Sequence, residues 1–287
     1  MSINRRNFIK TLGTTGTSLL GVKSLSAKTV KPAVEMKGLL IDTTLCIGCQ
    51  SCEYACADEN NLSEPEDYPE AGINRALTTE QLTVVNCYDT TQGEIFVKKQ
   101  CFHCNQPACA AACLTKAMNK TDEGPVVWRE DKCMGCRYCM LSCPFEIPKF
   151  EYDSPVPRIQ KCTMCWSRQQ EGELPACVEN CPNEAILFGT RRELLAEARR
   201  RISTAPDQYY DHIYGEKEAG GTGVLYLSAV PFDELGFKTD IQKESYPELT
   251  KGFLYSVPSI FVLWPMMLLG LYKSTNNDES EDHKEIS

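Results

Sequence analysis

Apolar and polar positions along this chain fall into many short segments and one long one. Gly38 to Asp42 (GLLID), the stretch around Leu82 to Cys87, Glu94 to Lys98 (EIFVK), Val126 to Trp128 and Ala185 to Phe188 (AILF) are brief, apolar and rich in β-branched or aromatic residues. Segments of that length and composition predict strands rather than helices. A helical period shows at 190–202, where Leu194, Leu195, Ala198 and Ile202 share one face. Thr190 and Glu193 form a capping box there, and Arg191, Arg192 and Arg199 to Arg201 cover the other face, so a packing helix with a solvated basic side is expected. The glycines of 214–227 (YGEKEAGGTGVLYL) lack the spacing of a dinucleotide or Walker loop and predict a loop feeding a strand.

The long segment is 253–272 (FLYSVPSIFVLWPMMLLGLY), twenty residues without a charge. As a helix it would be about 30 Å long, the thickness of a hydrocarbon core. Lys251 and Lys273 bracket it, Tyr255 and Tyr272 sit near its ends, and it has no polar face to make it a half-buried core helix. Pro258 and Pro265 are tolerated in membrane helices. It is expected to span a membrane. The polar tail after it (NNDESEDHKEIS, 276–287) is expected to be disordered.

The short strands matter because cysteines follow them. Cys133 to Pro144 reads CMGCRYCMLSCP, the ligand run of a bacterial-type [4Fe–4S] ferredoxin. The first three thiolates wrap one cubane, while the fourth sits a helical turn further on and serves the neighbouring cluster. Three more groups echo it: Cys46/Cys49/Cys52/Cys56, Cys101/Cys104/Cys109/Cys113 and Cys162/Cys165/Cys177/Cys181. Ala57 and Leu114 stand where the motif has proline, and eleven residues separate Cys165 from Cys177. Cysteines this close in sequence cannot all pair as disulfides, which prefer Cα separations of roughly 5.5–6 Å. Zinc sites use CxxC pairs but rarely a third cysteine at the same step. Sixteen of the seventeen cysteines therefore suggest four [4Fe–4S] clusters. Cys87 is left over and reads as a small buried hydrophobe. His103, inside CFHC, could tune a cluster by hydrogen bonding or be a packed or solvent-facing imidazole.

Length and charge narrow the rest. With 287 residues the chain holds one or two domains, and a formal charge of −9 without basic runs argues against nucleic acid. Near the N-terminus, Arg5 and Arg6 precede Phe8, Ile9 and Lys10, a weakly apolar segment and small residues at 24–27. That order predicts a twin-arginine signal cleaved after Ala27, the export route of proteins folded around cofactors, followed by a linker from Lys28 to Lys37. No paired carboxylates or Ser/His or Cys/His nucleophile arrangement is present, and a cubane held by four thiolates has no open site for substrate. A non-catalytic electron carrier is the expectation.

Together these residues resemble the four-cluster iron–sulfur subunits of membrane oxidoreductases, a superfamily that includes formate dehydrogenase beta subunits and the B subunits of dimethyl sulfoxide and polysulfide reductases. The likeness is carried by NRRNFIK (4–10), TTLCIGCQ (43–50), GCRYCM (135–140), LPACVENCP (174–182), FGTRREL (188–194) and YGEKEAGGT (214–222). The twin-arginine segment combined with a C-terminal helix points to the HybA-type subunits of membrane-bound nickel–iron hydrogenases. The resemblance implies an α+β fold of two ferredoxin-like modules. One (28–97 and 150–250) would carry the first and last cysteine groups, and the other (98–149), inserted in it, the middle two. It further implies four ligand sets: Cys46, Cys49, Cys52 with Cys181; Cys162, Cys165, Cys177 with Cys56; Cys101, Cys104, Cys109 with Cys143; and Cys133, Cys136, Cys139 with Cys113. Spacing alone does not say which groups pair. The implied role is electron relay between a periplasmic hydrogenase, with its small and large subunits, and a multi-spanning quinone-reactive membrane subunit. The cluster domain would be periplasmic and the tail at 273–287 cytoplasmic. A formate dehydrogenase or other molybdopterin oxidoreductase subunit, and a stand-alone membrane-tethered ferredoxin, are the alternatives.

Overall fold

The computed structural model of the chain describes residues 35–282, with side chains described as far as Lys273. The twin-arginine segment, its cleavage point and the linker up to residue 34 lie outside the described residues, as does the end of the tail.

The short apolar segments are strands. β1 (Lys37–Asp42) pairs antiparallel with β8 (Ile186–Thr190) and parallel with β9 (Val224–Leu227), giving a sheet of order β8-β1-β9. Three antiparallel hairpins complete the strands: β2 (Val84–Thr90) with β3 (Gly93–Lys99), β4 (Met118–Lys120) with β5 (Val126–Trp128), and β6 (Lys149–Phe150) with β7 (Ile159–Gln160). Between them lie α1 (Ser51–Asn60) and four-to-five-residue helices, α2 (Ala108–Ala111), α3 (Tyr138–Leu141), α4 (Trp166–Gln170) and α5 (Ala176–Glu179). The architecture is mixed α and β.

β1 is the central strand, and its alternation places it between two layers. Leu40 packs with Leu194 and Ala198 of α6 (Arg191–Thr204) and with Leu225 and Leu227. Leu39 and Ile41 turn the other way, toward Cys52, Cys177 and Tyr226. A period of two carries side chains to opposite faces, so this strand buries both. At Gly38 an added Cβ would lie 2.2 Å from the Gly223 carbonyl oxygen, so only glycine admits β9 at that distance. The capping box of α6 is formed as expected, with the Glu193 N–H donating to Thr190 Oγ1 and the Thr190 N–H to the Glu193 carboxylate.

A buried ion pair ties α1 to the first hairpin. Arg75 grips the Glu53 carboxylate with both terminal nitrogens, at 2.8 and 2.6 Å, and the Val85 N–H donates to the same carboxylate at 2.6 Å. Removing one partner of such a pair strands a charge and typically costs about 3–5 kcal/mol.

The C-terminal helix, α7 (Tyr246–Asp282), is longer at both ends than the span expected from hydropathy. Within its stretch Tyr246–Lys273 an 18-residue window has a mean hydropathy of 1.7, and the large apolar side chains there are exposed rather than packed on the domain. A buried core helix is thereby excluded. The tail expected to be disordered is instead helical to Asp282. Past Gly270 no proline or glycine interrupts it, and extending a helix is far easier than nucleating one.

Candidate cluster sites

All four cysteine groups are built on the same backbone device. The residue immediately before the second cysteine is left-handed each time: Gly48 (φ 72°), His103 (φ 47°), Gly135 (φ 72°) and Met164 (φ 58°). That conformation curls the loop so that the first two thiols can face one centre, and such turns line up N–H groups toward an anion, as at many iron–sulfur sites. Glycine adopts it freely, whereas His103 and Met164 do so against a steric cost of roughly 1–2 kcal/mol. Three groups also close alike. Lys116, Glu146 and Glu184 are left-handed, and each donates its N–H to the carbonyl of the fourth cysteine three residues earlier. The first group differs in that α1 continues past Cys56 to Asn60, whereas in the second group Leu114, also not proline, does not prolong the helix.

The fold gathers these cysteines from distant parts of the chain. β1 leads into the first group and β8 leaves the last, so their pairing puts Cys46 beside Cys181, and α1 packs on α5. Cys46, Cys49, Cys52 and Cys181 line a single cavity, together with Gln50 and Lys98. Cys56 neighbours Cys162, Cys165 and Cys177. Cys104 neighbours Cys101, Cys109 and Cys143, and Cys139 neighbours Cys113, Cys133 and Cys136. The gatherings also touch one another in order. Cys52 meets Cys177, Cys56 and Cys162 pack in one cluster with Cys101, and Cys109 packs with Cys139. Of the seventeen cysteines only Cys49 and Cys136 are exposed, and they belong to the first and last gatherings of that row.

The donor chemistry fits iron–sulfur clusters. Every cysteine is a free thiol. Burial pushes the Cys139 thiol up to about 11, with Cys113, Cys133 and Cys136 adding to the shift. Burial lifts Cys109 to about 12 and Cys162 likewise, Cys101 contributing to both. Packed thiols of this kind resist ionising beside one another, but a coordinated cation deprotonates them outright and makes them soft donors. Cys113 is the exception: burial opposes it, yet N–H groups led by that of Met118 (3.4 Å to the sulfur) hold its thiol below the ordinary value. N–H bonds to sulfur are among the levers that set a cluster's potential.

Two site residues were not singled out from the sequence. Lys98 and Lys161 are buried in the cysteine-bearing core, as is His103. Strand alternation in FVKKQC was the available hint, since consecutive lysines on a covered strand must send one inward. His103 is packed rather than solvent-facing. Its Nδ1 accepts the Val126 N–H at 2.9 Å, and burial, with Lys161, Lys120 and Lys98 around it, keeps the ring neutral. The proton must then sit on Nε2, which is buried without a partner. Cys87 lies in β2 opposite Phe96, a buried thiol as expected.

Residues 93–191 match the 4Fe-4S dicluster domain family, a span holding twelve of the sixteen grouped cysteines. The hydrogenase-2 operon protein HybA of Escherichia coli O157:H7 is 37% identical over 98% of this chain and 100% of its own length. The nitrate-inducible formate dehydrogenase iron–sulfur subunit of Escherichia coli K12 is 34% identical over 86% of this chain and 89% of its own. This chain belongs to the HybA and formate dehydrogenase iron–sulfur subunit family. A protein of Nitratidesulfovibrio vulgaris is 42% identical over 96% of this chain and 78% of its own. As a HybA-family subunit the chain is an iron–sulfur electron-transfer protein of a membrane-associated oxidoreductase complex, and its exposed C-terminal helix is consistent with anchorage in that membrane.

Proposed function

We propose that this chain relays electrons through four [4Fe–4S] clusters between a nickel–iron hydrogenase and a quinone-reactive membrane subunit. The observation that carries this reading is the row of four cysteine gatherings, each with four thiols, ending at exposed Cys49 and exposed Cys136. In order along the row, the ligand sets would be Cys46, Cys49, Cys52 and Cys181; then Cys162, Cys165, Cys177 and Cys56; then Cys101, Cys104, Cys109 and Cys143; then Cys133, Cys136, Cys139 and Cys113. The pairing of β1 with β8, and the packing of α2 on α3, support two ferredoxin-like modules with one inserted in the other.

Bound clusters would supply reversible one-electron chemistry at potentials set by their surroundings. The chain's own part is to exclude water, hold the thiols and space the sets. The helix α7 begins beside α2, where Ser245 Oγ donates to Gln106 Oε1 at 2.7 Å. The Cys136 end is therefore read as the membrane end, and the Cys49 end as the face toward the hydrogenase small and large subunits.

The relative named for hydrogenase-2 matches this chain over the whole of its own length, which favours hydrogen over formate as the donor. Affinity purification on this chain from solubilised membranes should bring down a partner that oxidises hydrogen with a soluble dye. Formate oxidation in its place would hand the role to the formate dehydrogenase reading. The Arg5–Arg6 segment supports twin-arginine export and a periplasmic cluster domain with a cytoplasmic tail. Protease added to intact spheroplasts should then degrade the cluster domain and spare the tail. Loss of the tail alone would reverse the orientation.

A further inference from the structure

Lys98 is a cation placed where a cation should not be stable. It is 1% exposed and lines the cavity formed by Cys46, Cys49, Cys52 and Cys181. The groups that act on it most strongly are the thiols of Cys177, Cys52, Cys162 and Cys56, so it stands between the first two cysteine gatherings rather than inside one. Its ammonium donates to Gln100 Oε1 and pairs with no carboxylate among the described residues. The neighbouring lysines are accounted for differently: buried Lys161 donates to the carbonyls of Val126 and Cys162, and half-buried Lys120 to that of His103 at 3.0 Å. A methionine would fill nearly the same space without the desolvation cost of an ammonium. The charge itself is what this position retains.

We propose that Lys98 is an electrostatic positioning residue shared by the first two clusters of the row, favouring their reduced forms together. Reduction of either cluster adds one electron and one negative charge, with no bond made or broken and no proton taken up. A fixed positive charge in a dry interior stabilises that added charge far more than it would in water. Because Lys98 faces thiols of both sets, it brings the two potentials up in concert. Without it, the first step of the relay from the Cys49 end would be uphill by comparison.

This inference rests on the cluster reading given above, and the two can fail separately. The test is a potentiometric titration of the purified full-length chain, followed by electron paramagnetic resonance. Wild type, Lys98→Met, Lys98→Gln and Lys98→Arg are compared after their iron content is measured. Wild-type chain without cluster iron would sink the cluster reading itself. With iron present, the neutral variants are expected to disfavour reduction of two clusters about tenfold, or ~59 mV for one electron. The other two clusters should move less, and Lys98→Arg should stay near wild type. A shift below threefold in a neutral variant with full iron content overturns the proposal. Loss of iron in both neutral variants also overturns it, since Lys98 would then be needed for assembly rather than for potential.

Discussion

Removing residues 253–272 is expected to reduce hydrogen-dependent quinone reduction to background while hydrogen oxidation with a soluble dye survives. The apolar run forms a helix with its large side chains exposed, and an 18-residue window in it has a mean hydropathy of 1.7. Most of that surface is exposed, and a helix of this length suits a hydrocarbon core. It leaves the domain beside α2, which carries Cys109 and lies against α3, which carries Cys139. On the proposed function, anchoring the helix would hold the Cys136 end of the row at the membrane, within reach of a quinone-reactive partner. The cysteine sets themselves lie outside the deleted segment, so iron content should be unchanged. Quinone reduction that persists undiminished would show that the anchor has no part in delivery.

The second large effect concerns a cysteine far in sequence from the cluster it is assigned to. Cys181→Ser is expected to disturb the cluster held by Cys46, Cys49 and Cys52 and to stop relay at that end of the row. The register of β1 against β8, Ile41 opposite Ile186, brings the two cysteine loops together. Cys181 and the three cysteines of the first group line one cavity. Electron transfer to quinone should fall to background, again with dye-linked hydrogen oxidation retained by the catalytic partner. A spectral change confined to the cluster of Cys162, Cys165 and Cys177 would show that Cys181 serves its own group instead, and the exchange would be wrong.

How much of this was legible beforehand depended on how local the cause was. The strands before the first three cysteine groups, the capping box at Thr190 and Glu193, and the apolar run at 253–272 are all set by neighbours in sequence. They appear where the pattern placed them. The parallel pairing of β1 with β9 depends on Gly38 facing Gly223, a contact between distant residues with no local signature. The left-handed turns at Gly48 and Gly135 could be suspected from CxGC. At His103 and Met164 the same turn is imposed on residues that do not favour it, so only the structure reveals the fourfold repetition. The buried lysines escaped for a related reason. Lysine is almost never fully buried without compensation, so residue type argued for the surface at Lys98 while strand alternation, the weaker hint, argued for the interior. The tail was misjudged because polarity was taken for disorder, although the helix had already been nucleated upstream.

The central claim is that four sets of four cysteines each hold a cubane. The measurement that meets it most directly is the iron and acid-labile sulfide content of the full-length chain purified without oxygen. About sixteen of each per chain is the expected result, from four groups of four thiolates. About half that iron, with zinc making up the difference, would contradict it.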